Sequence, residues 1–243
     1  MKNKGLWKET FVKLQNNEYI INNKLIDYNS LLVAKQTFNI YKELIQTFAE
    51  GVLVDLGCGN VPYYGIYKNQ VEEVICIDWG TSYHECKHLD YIADINKGIP
   101  LESNFAQTII LTDVLEHINN PERLMTEISR VMKIGGRLIL GVPFLYWLHE
   151  EPYDFNRYTK FKLLELCRSN GLEVIYFAEV GGPLTVISDI IGKSIPSPFF
   201  SKLFQECMII FLNTSFGKKI DNRNKIKFPR SYCLVAEKIK FEG

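Results

Sequence analysis

Two groups of residues in the middle of the chain carry types and spacings that can do chemistry. The first is Val52-Leu53-Val54-Asp55-Leu56-Gly57-Cys58-Gly59-Asn60, an apolar run that breaks on two glycines one residue apart. Glycines there let the backbone turn tightly and approach a ligand with no Cβ in the way. The next apolar run, Val74-Ile75-Cys76-Ile77, ends on Asp78, which stands roughly twenty residues on, where a carboxylate accepts hydrogen bonds from a ribose diol. Two strand ends therefore aim at one nucleoside. A dinucleotide loop would want a third glycine where Pro62 stands, and Asp55 ahead of the glycines would repel a diphosphate. A nucleoside bearing a positive charge satisfies both facts.

The second group is ionisable and aromatic. Thr112-Asp113-Val114-Leu115-Glu116-His117-Ile118 ends one predicted strand, and a dense segment from Pro143 to Thr159 follows the next. A histidine near neutrality suits removal of a hydroxyl proton. His149 is the first choice for that base because the aromatic loop around it can exclude water, with His117 second and Glu116, Glu150 or Asp154 as orienting partners. Asp154 with Arg157 reads equally as an ion pair that fixes the loop. His84, Cys86 and His88 alternate, but their spacing matches no common zinc signature, so no metal is expected.

These residues need a frame. From Gly51 onward, short aliphatic runs alternate with helical candidates: strands at Val52 to Leu56, Glu73 to Asp78, Tyr91 to Asp94, Thr108 to Asp113, Arg137 to Val142 and Glu173 to Glu179. Between them, Pro121 to Met132 is opened by Asn120, and Thr159 to Asn170 is closed by Gly171. That alternation predicts a parallel sheet covered on both faces. Ahead of it, residues 8–29 are Asn-rich and weakly patterned, and Ser30 is placed to cap a helix running to Glu50. One domain is expected, with a helical cap at 1–50, a ligand-binding core at 51–182, a helical insertion at 183–230 ending in a basic linker, and a last strand at 231–239. The insertion's apolar residues, Ile187, Ile190, Phe199, Phe200 and Leu203 among them, are expected to pack as core. A dimer face, a lid for a lipid-linked substrate and peripheral membrane contact through 183–219 are the other readings of that segment.

Composition narrows the partners. The chain has 243 residues, 47% of them hydrophobic, which is ample for a core and excludes a disordered tail protein. Lys and Arg number 28 and Asp and Glu number 28, so nothing draws the chain as a whole to nucleic acid. Charged residues break the first eleven positions and every long apolar run, so neither a signal peptide nor a transmembrane helix is expected. Six scattered cysteines without a Cys-x-x-Cys pair suit a reducing compartment, and the expected location is the cytoplasm, as a monomer or homodimer.

Taken in order, these motifs resemble those of the class I S-adenosylmethionine-dependent methyltransferases, over Gly51 to about Gly182. The resemblance implies a Rossmann-like α/β sheet of seven strands in the order 3-2-1-4-5-7-6, mixed because the last strand is antiparallel, with helices on both faces. It implies S-adenosylmethionine as cofactor, held by Asp55, Gly57, Cys58 and Gly59, by Asp78 and Trp79, by Asp94 and Ile95 at the adenine, and by Asp113 and Val114. The family's third glycine would fall at Val61, which implies a different loop path around the methionine carboxylate. Pro152-Tyr153-Asp154-Phe155-Asn156-Arg157-Tyr158-Thr159 is similar to a stretch in a small-molecule subgroup linked to cell-surface glycan and lipid-quinone pathways. The expected activity is therefore methyl transfer to a small molecule, at oxygen, with His149, His117 and Asp154 as catalytic candidates. A non-catalytic S-adenosylmethionine-binding protein and an NAD-dependent oxidoreductase are the alternatives.

Overall fold

The computed structural model describes residues 1–80 and 87–240. Nine strands and seven α-helices are described: β1 (Val12–Gln15), β2 (Glu18–Ile21), α1 (Leu31–Phe48), β3 (Val52–Leu56), α2 (Tyr64–Tyr67), β4 (Glu73–Asp78), β5 (Tyr91–Ile92), β6 (Ala106–Thr112), α3 (Pro121–Val131), β7 (Met132–Pro143), α4 (Lys160–Ser169), β8 (Leu172–Val180), α5 (Pro183–Ser194), α6 (Pro198–Asn213), α7 (Ser215–Arg223) and β9 (Ser231–Lys238). The large sheet runs β5-β4-β3-β6-β7-β9-β8. Counted from β3, that is the expected 3-2-1-4-5-7-6, with β9 antiparallel to both of its neighbours.

Both faces of the sheet are buried, so its strands read as unbroken apolar runs and successive residues enter opposite layers. Val54, Ile109, Leu138 and Leu140 join Leu124, Met125, Ile128 and Leu163 in one layer, on the α3 and α4 side. Leu53, Ile110, Ile139 and Val235 join Phe38, Tyr41, Leu44 and Ile45 of α1 in the other. Asn120 caps α3 by accepting from the Arg123 N–H, with Pro121 in the first turn, and Gly171 follows α4 at φ 69°.

Several local expectations are corrected. Residues 8–29 contain a hairpin, β1–β2, whose two-residue turn sets Asn16 at φ 52° and Asn17 at φ 62°. Ser30 stands at the start of α1, but its hydroxyl donates to the Asn29 side chain and caps nothing. The third strand stops at Ile92, which leaves Asp94 in the following turn, and the supposed basic linker is partly helix α7.

The insertion is the largest departure. Its helices bury Thr185, Ser188, Asp189, Ser201, Gln205 and Asp221, while Ile187, Ile190, Ile191, Phe199, Phe200 and Leu203 are exposed. The apolar residues expected as core face outward because a polar spine does the docking. The Asp221 carboxylate accepts from the N–H groups of Gly182, Leu184 and Thr185 at the start of α5. Gln205 accepts from Leu32 N–H and donates to the Ser188 carbonyl, and Ser201 donates to the Gly192 carbonyl.

Candidate functional site

Strand order reverses between β3 and β6, and ligands of open α/β sheets bind at such a crevice beyond the strand ends. A cavity of about 630 Å³ lies there. Every residue expected to hold a cofactor lines it: Asp55, Gly57, Cys58, Gly59, Asp78, Trp79, Asp94, Ile95, Asp113 and Val114. Gly57 sits at φ 68°, and a Cβ added to it would come within 2.5 Å of Val114. The Gly59 N–H donates to Asp78 Oδ2 at 2.8 Å and the Trp79 N–H to Oδ1 at 2.7 Å, so Asp78 ties the glycine loop to the end of β4. Val61 adopts φ 51°, a left-handed backbone rarely held by a β-branched residue. The backbone at this position therefore takes a conformation that glycine adopts freely, with a valine in place.

The cavity is acidic. Among the described residues no lysine or arginine lines it, whereas Asp55, Asp78, Asp94, Asp113 and Glu150 do. Burial lifts Asp55 to about 7, with the Asp78 charge adding to the effect and the Tyr67 hydrogen bond at 2.7 Å opposing it. Burial and then the charge of Glu116 lift Asp113 to about 6, against Arg230 and the Tyr41 hydroxyl. Tyr41 reaches Asp113 at 3.1 Å because position 141 is glycine; a Cβ there would fall on its hydroxyl. These residues fit a cationic nucleoside. The hydroxyl of Thr10, on the same wall, is buried and has no hydrogen-bond partner, an opening for a polar ligand atom.

At the far end of the cavity, the turn Leu115–His117 meets the loop after β7. The N–H groups of Phe155 and Asn156 donate to the Glu116 carbonyl, and the Tyr158 hydroxyl donates to that of Leu115. His117 lines the cavity with Glu150 and Tyr153; His149 and Asp154 do not. His149 lies behind His117, ring centroids 4.9 Å apart, so the first choice of base is displaced from the wall by the second. His117 Nδ1 is 2.9 Å from the Tyr153 carbonyl, which only accepts, so Nδ1 carries the proton and Nε2 is the basic atom of the neutral ring. Burial works against charge on His149, but the Glu116 and Asp154 carboxylates prevail and raise its pKa. Asp154 is forked to Arg157 and accepts from the His149 N–H; although burial opposes it, these partners hold the carboxyl near 2.

Some lining residues had no sequence signal. Thr10, Phe11 and Leu25 come from the weakly patterned N-terminal segment, held in place by Trp7 donating to the Val61 carbonyl at 3.2 Å and by Phe11 packing edge-on to Tyr63. Lys193 of α5 stacks over the rings of Tyr146 and Trp147, which brings the insertion against the loop that carries His149. Of the alternating His84, Cys86 and His88, the first two lie outside the described residues.

A family model described as a methyltransferase domain matches residues 54–140, from within β3 to within β7. Residues 54–140 thus carry a methyltransferase domain. This methyltransferase has no match among curated proteins. Its fold is shared with solved structures of low identity. A geranyl diphosphate methyltransferase in complex with S-adenosylmethionine has a TM-score of 0.57 at 13% identity, covering 87% of this chain and 90% of that one. A methyltransferase of Haloferax volcanii, in complex with the Trm112 methyltransferase activator, scores 0.58 at 14% identity over 89% and 96%. An S-adenosylmethionine-dependent methyltransferase from Archaeoglobus fulgidus scores 0.54 at 16% identity over 83% and 92%. In the methyltransferase the match ends at Leu140, ahead of the loop bearing His149 and Asp154.

Proposed function

We propose that this methyltransferase transfers a methyl group to a hydroxyl of a small-molecule acceptor, one carried on a lipid, of the glycan or quinone type. S-adenosylmethionine supplies an electrophilic methyl, so the protein must orient the acceptor and remove its proton. In this reading Asp78 takes the ribose, Asp94 and Ile95 the adenine, and Asp55, Gly57, Cys58 and Gly59 the methionine end, with Trp79, Asp113 and Val114 closing the walls. The observation that carries the hydroxyl assignment is His117. It is a basic ring nitrogen on the cavity wall, oriented by the Tyr153 carbonyl and backed by Glu116 and His149. Asp154 and Arg157 act as positioning residues, because they hold the His149 backbone without touching the cavity.

Support for a lipid-carried acceptor comes from the insertion. It exposes apolar side chains on α5 and α6, and residues 183–230 hold eight basic against three acidic residues, a combination that suits an anionic lipid surface. No helix among the described residues is long and apolar enough to cross a membrane, so the contact would be peripheral.

Calorimetry with S-adenosylhomocysteine and turnover on a panel of hydroxylated acceptors test the reading together. Asp78→Ala is expected to lose roughly 100-fold in cofactor affinity, the worth of two charge-assisted hydrogen bonds. His117→Gln is expected to keep cofactor affinity and lose at least about 100-fold in turnover. Unchanged turnover in His117→Gln would remove the hydroxyl assignment.

A further inference from the structure

Glu116 is fully buried, and neither of its carboxylate oxygens has a hydrogen-bond partner. Two imidazole nitrogens face it at long range, His149 Nε2 at 3.6 Å and His117 Nε2 at 3.8 Å from Oε1. A carboxylate taken out of water without partners is strongly unfavourable unless a positive charge meets it. The surroundings add negative charge: Glu150 Oε2 lies 3.8 Å from His117 Nε2, and Asp113 is near enough to be raised by Glu116. Arg157 is already engaged by Asp154.

One ligand atom from each of Glu116, His117 and His149 falls within 4.8 Å of the others. Atoms bound at about 2.1 Å to one ion lie roughly 3–4 Å apart, so a contraction of about an ångström would complete the set. Each ring has an acceptor on its outer side near Nδ1, the partner that turns the Nε2 lone pair of a metal-bound histidine inward. For His117 it is the Tyr153 carbonyl at 2.9 Å. For His149, Asp154 Oδ2, itself clamped by Arg157, lies 3.2 Å from Nδ1 but off the direction of a hydrogen bond, so the buried Nδ1 is unpartnered until the ring turns toward it. The backbone of the two segments is stitched at the same place, by Phe155 and Asn156 donating to the Glu116 carbonyl.

We propose that Glu116, His117 and His149 form a binding site for a divalent transition-metal ion, with Asp154 and the Tyr153 carbonyl orienting the histidines. Two imidazoles and one carboxylate leave coordination positions open, and His117 sets the site at the cavity wall. With the ion bound, His117 Nε2 would be a ligand and not the base it is in the metal-free protein, and an acceptor hydroxyl taking an open position would be acidified by the ion and lose its proton to water. That last step rests on the methyltransferase reading; the metal site does not.

Full-length, tag-free protein stripped with a chelator is titrated with Zn²⁺ by calorimetry and with Co²⁺ by visible absorption, with S-adenosylhomocysteine affinity measured in parallel. One site per chain and Co²⁺ ligand-field bands are expected. Glu116→Gln and His149→Ala should each lower Zn²⁺ affinity at least 100-fold, and Asp154→Asn roughly 10- to 100-fold, while S-adenosylhomocysteine affinity stays within threefold and reports an intact fold. Absence of binding and bands in the unaltered protein, or bands that persist in the Glu116→Gln/His149→Ala double variant, would overturn the site. Loss of S-adenosylhomocysteine binding alone, with Zn²⁺ retained, would count against the cofactor reading and leave the metal site standing.

Discussion

Val61 is fully buried and left-handed, and its carbonyl is held by Trp7. Truncating a buried valine ordinarily costs more the further it goes, yet here alanine keeps the backbone penalty that glycine escapes, about 1 kcal/mol or more. Thermal unfolding should therefore find Val61→Gly at least as stable as Val61→Ala; the opposite order would show that the left-handed backbone carries no cost. Asp55 sets a pH dependence. Its folded pKa, about 7, lies above its ordinary value of 3.8, so the folded chain binds an extra proton between those limits. The free protein should lose that increment of stability as pH rises through the window. A cationic cofactor needs the ionised carboxylate, so its affinity moves the other way: calorimetry from pH 5.5 to 7.5 should show S-adenosylmethionine binding tighten by up to about tenfold per unit. Asp55→Asn should flatten that slope, and an unchanged slope would assign the proton elsewhere.

Elements were legible where a rule links residue type to conformation without reference to neighbours. Buried parallel strands demand apolar runs, so β3, β4, β6 and the central part of β7 could be read directly, and Gly57 and Asp78 followed as their ends. Helical periodicity, by contrast, says that a helix has an apolar face and not which way the face points. Ile187, Ile190 and Ile191 on α5 have core spacing and face outward because Asp221, Gln205 and Ser201 supply the docking contacts, and such polar partners cannot be matched before the fold is known. The clustering of Glu116, His117 and His149 was hidden for a similar reason, since it depends on how the loop after β7 is stitched back to the turn at Leu115. The β1–β2 hairpin had a signal that composition obscured. Asn16 and Asn17 both take positive φ in a two-residue turn, which asparagine adopts readily and β-branched residues only at a cost. Asn17→Gly should leave the unfolding free energy within about 0.5 kcal/mol of the parent, and Asn17→Val should cost about 1–2 kcal/mol, read by denaturant unfolding; equal effects would mean that the turn is not a stability determinant.

At the scale of the whole molecule, the balance of 28 basic and 28 acidic residues conceals a separation. Acidic groups gather around the cavity, and a basic excess sits on the insertion. Sedimentation with anionic vesicles should carry the protein down, and neutral vesicles should not. Replacing exposed Phe199 and Phe200 together with serine should weaken the partition at least about tenfold. No sedimentation with anionic vesicles, or no effect of the double replacement, would rule out the lipid surface as the occupant of this face.

The inside-out arrangement of α5 to α7 has a consequence for how the molecule holds itself together in time. Local stability follows buried apolar contact, and these helices have directed theirs at the exterior and rely on a spine of hydrogen bonds for attachment. In water these helices are expected to open at lower free energy than the sheet beneath, read as faster amide hydrogen exchange in α5 to α7 than in β3 and β6. Because Lys193 rests on Tyr146 and Trp147, each such opening unclamps the loop beside His149. A partner covering the outer face would therefore lengthen the time for which the loop beside His149 keeps its shape.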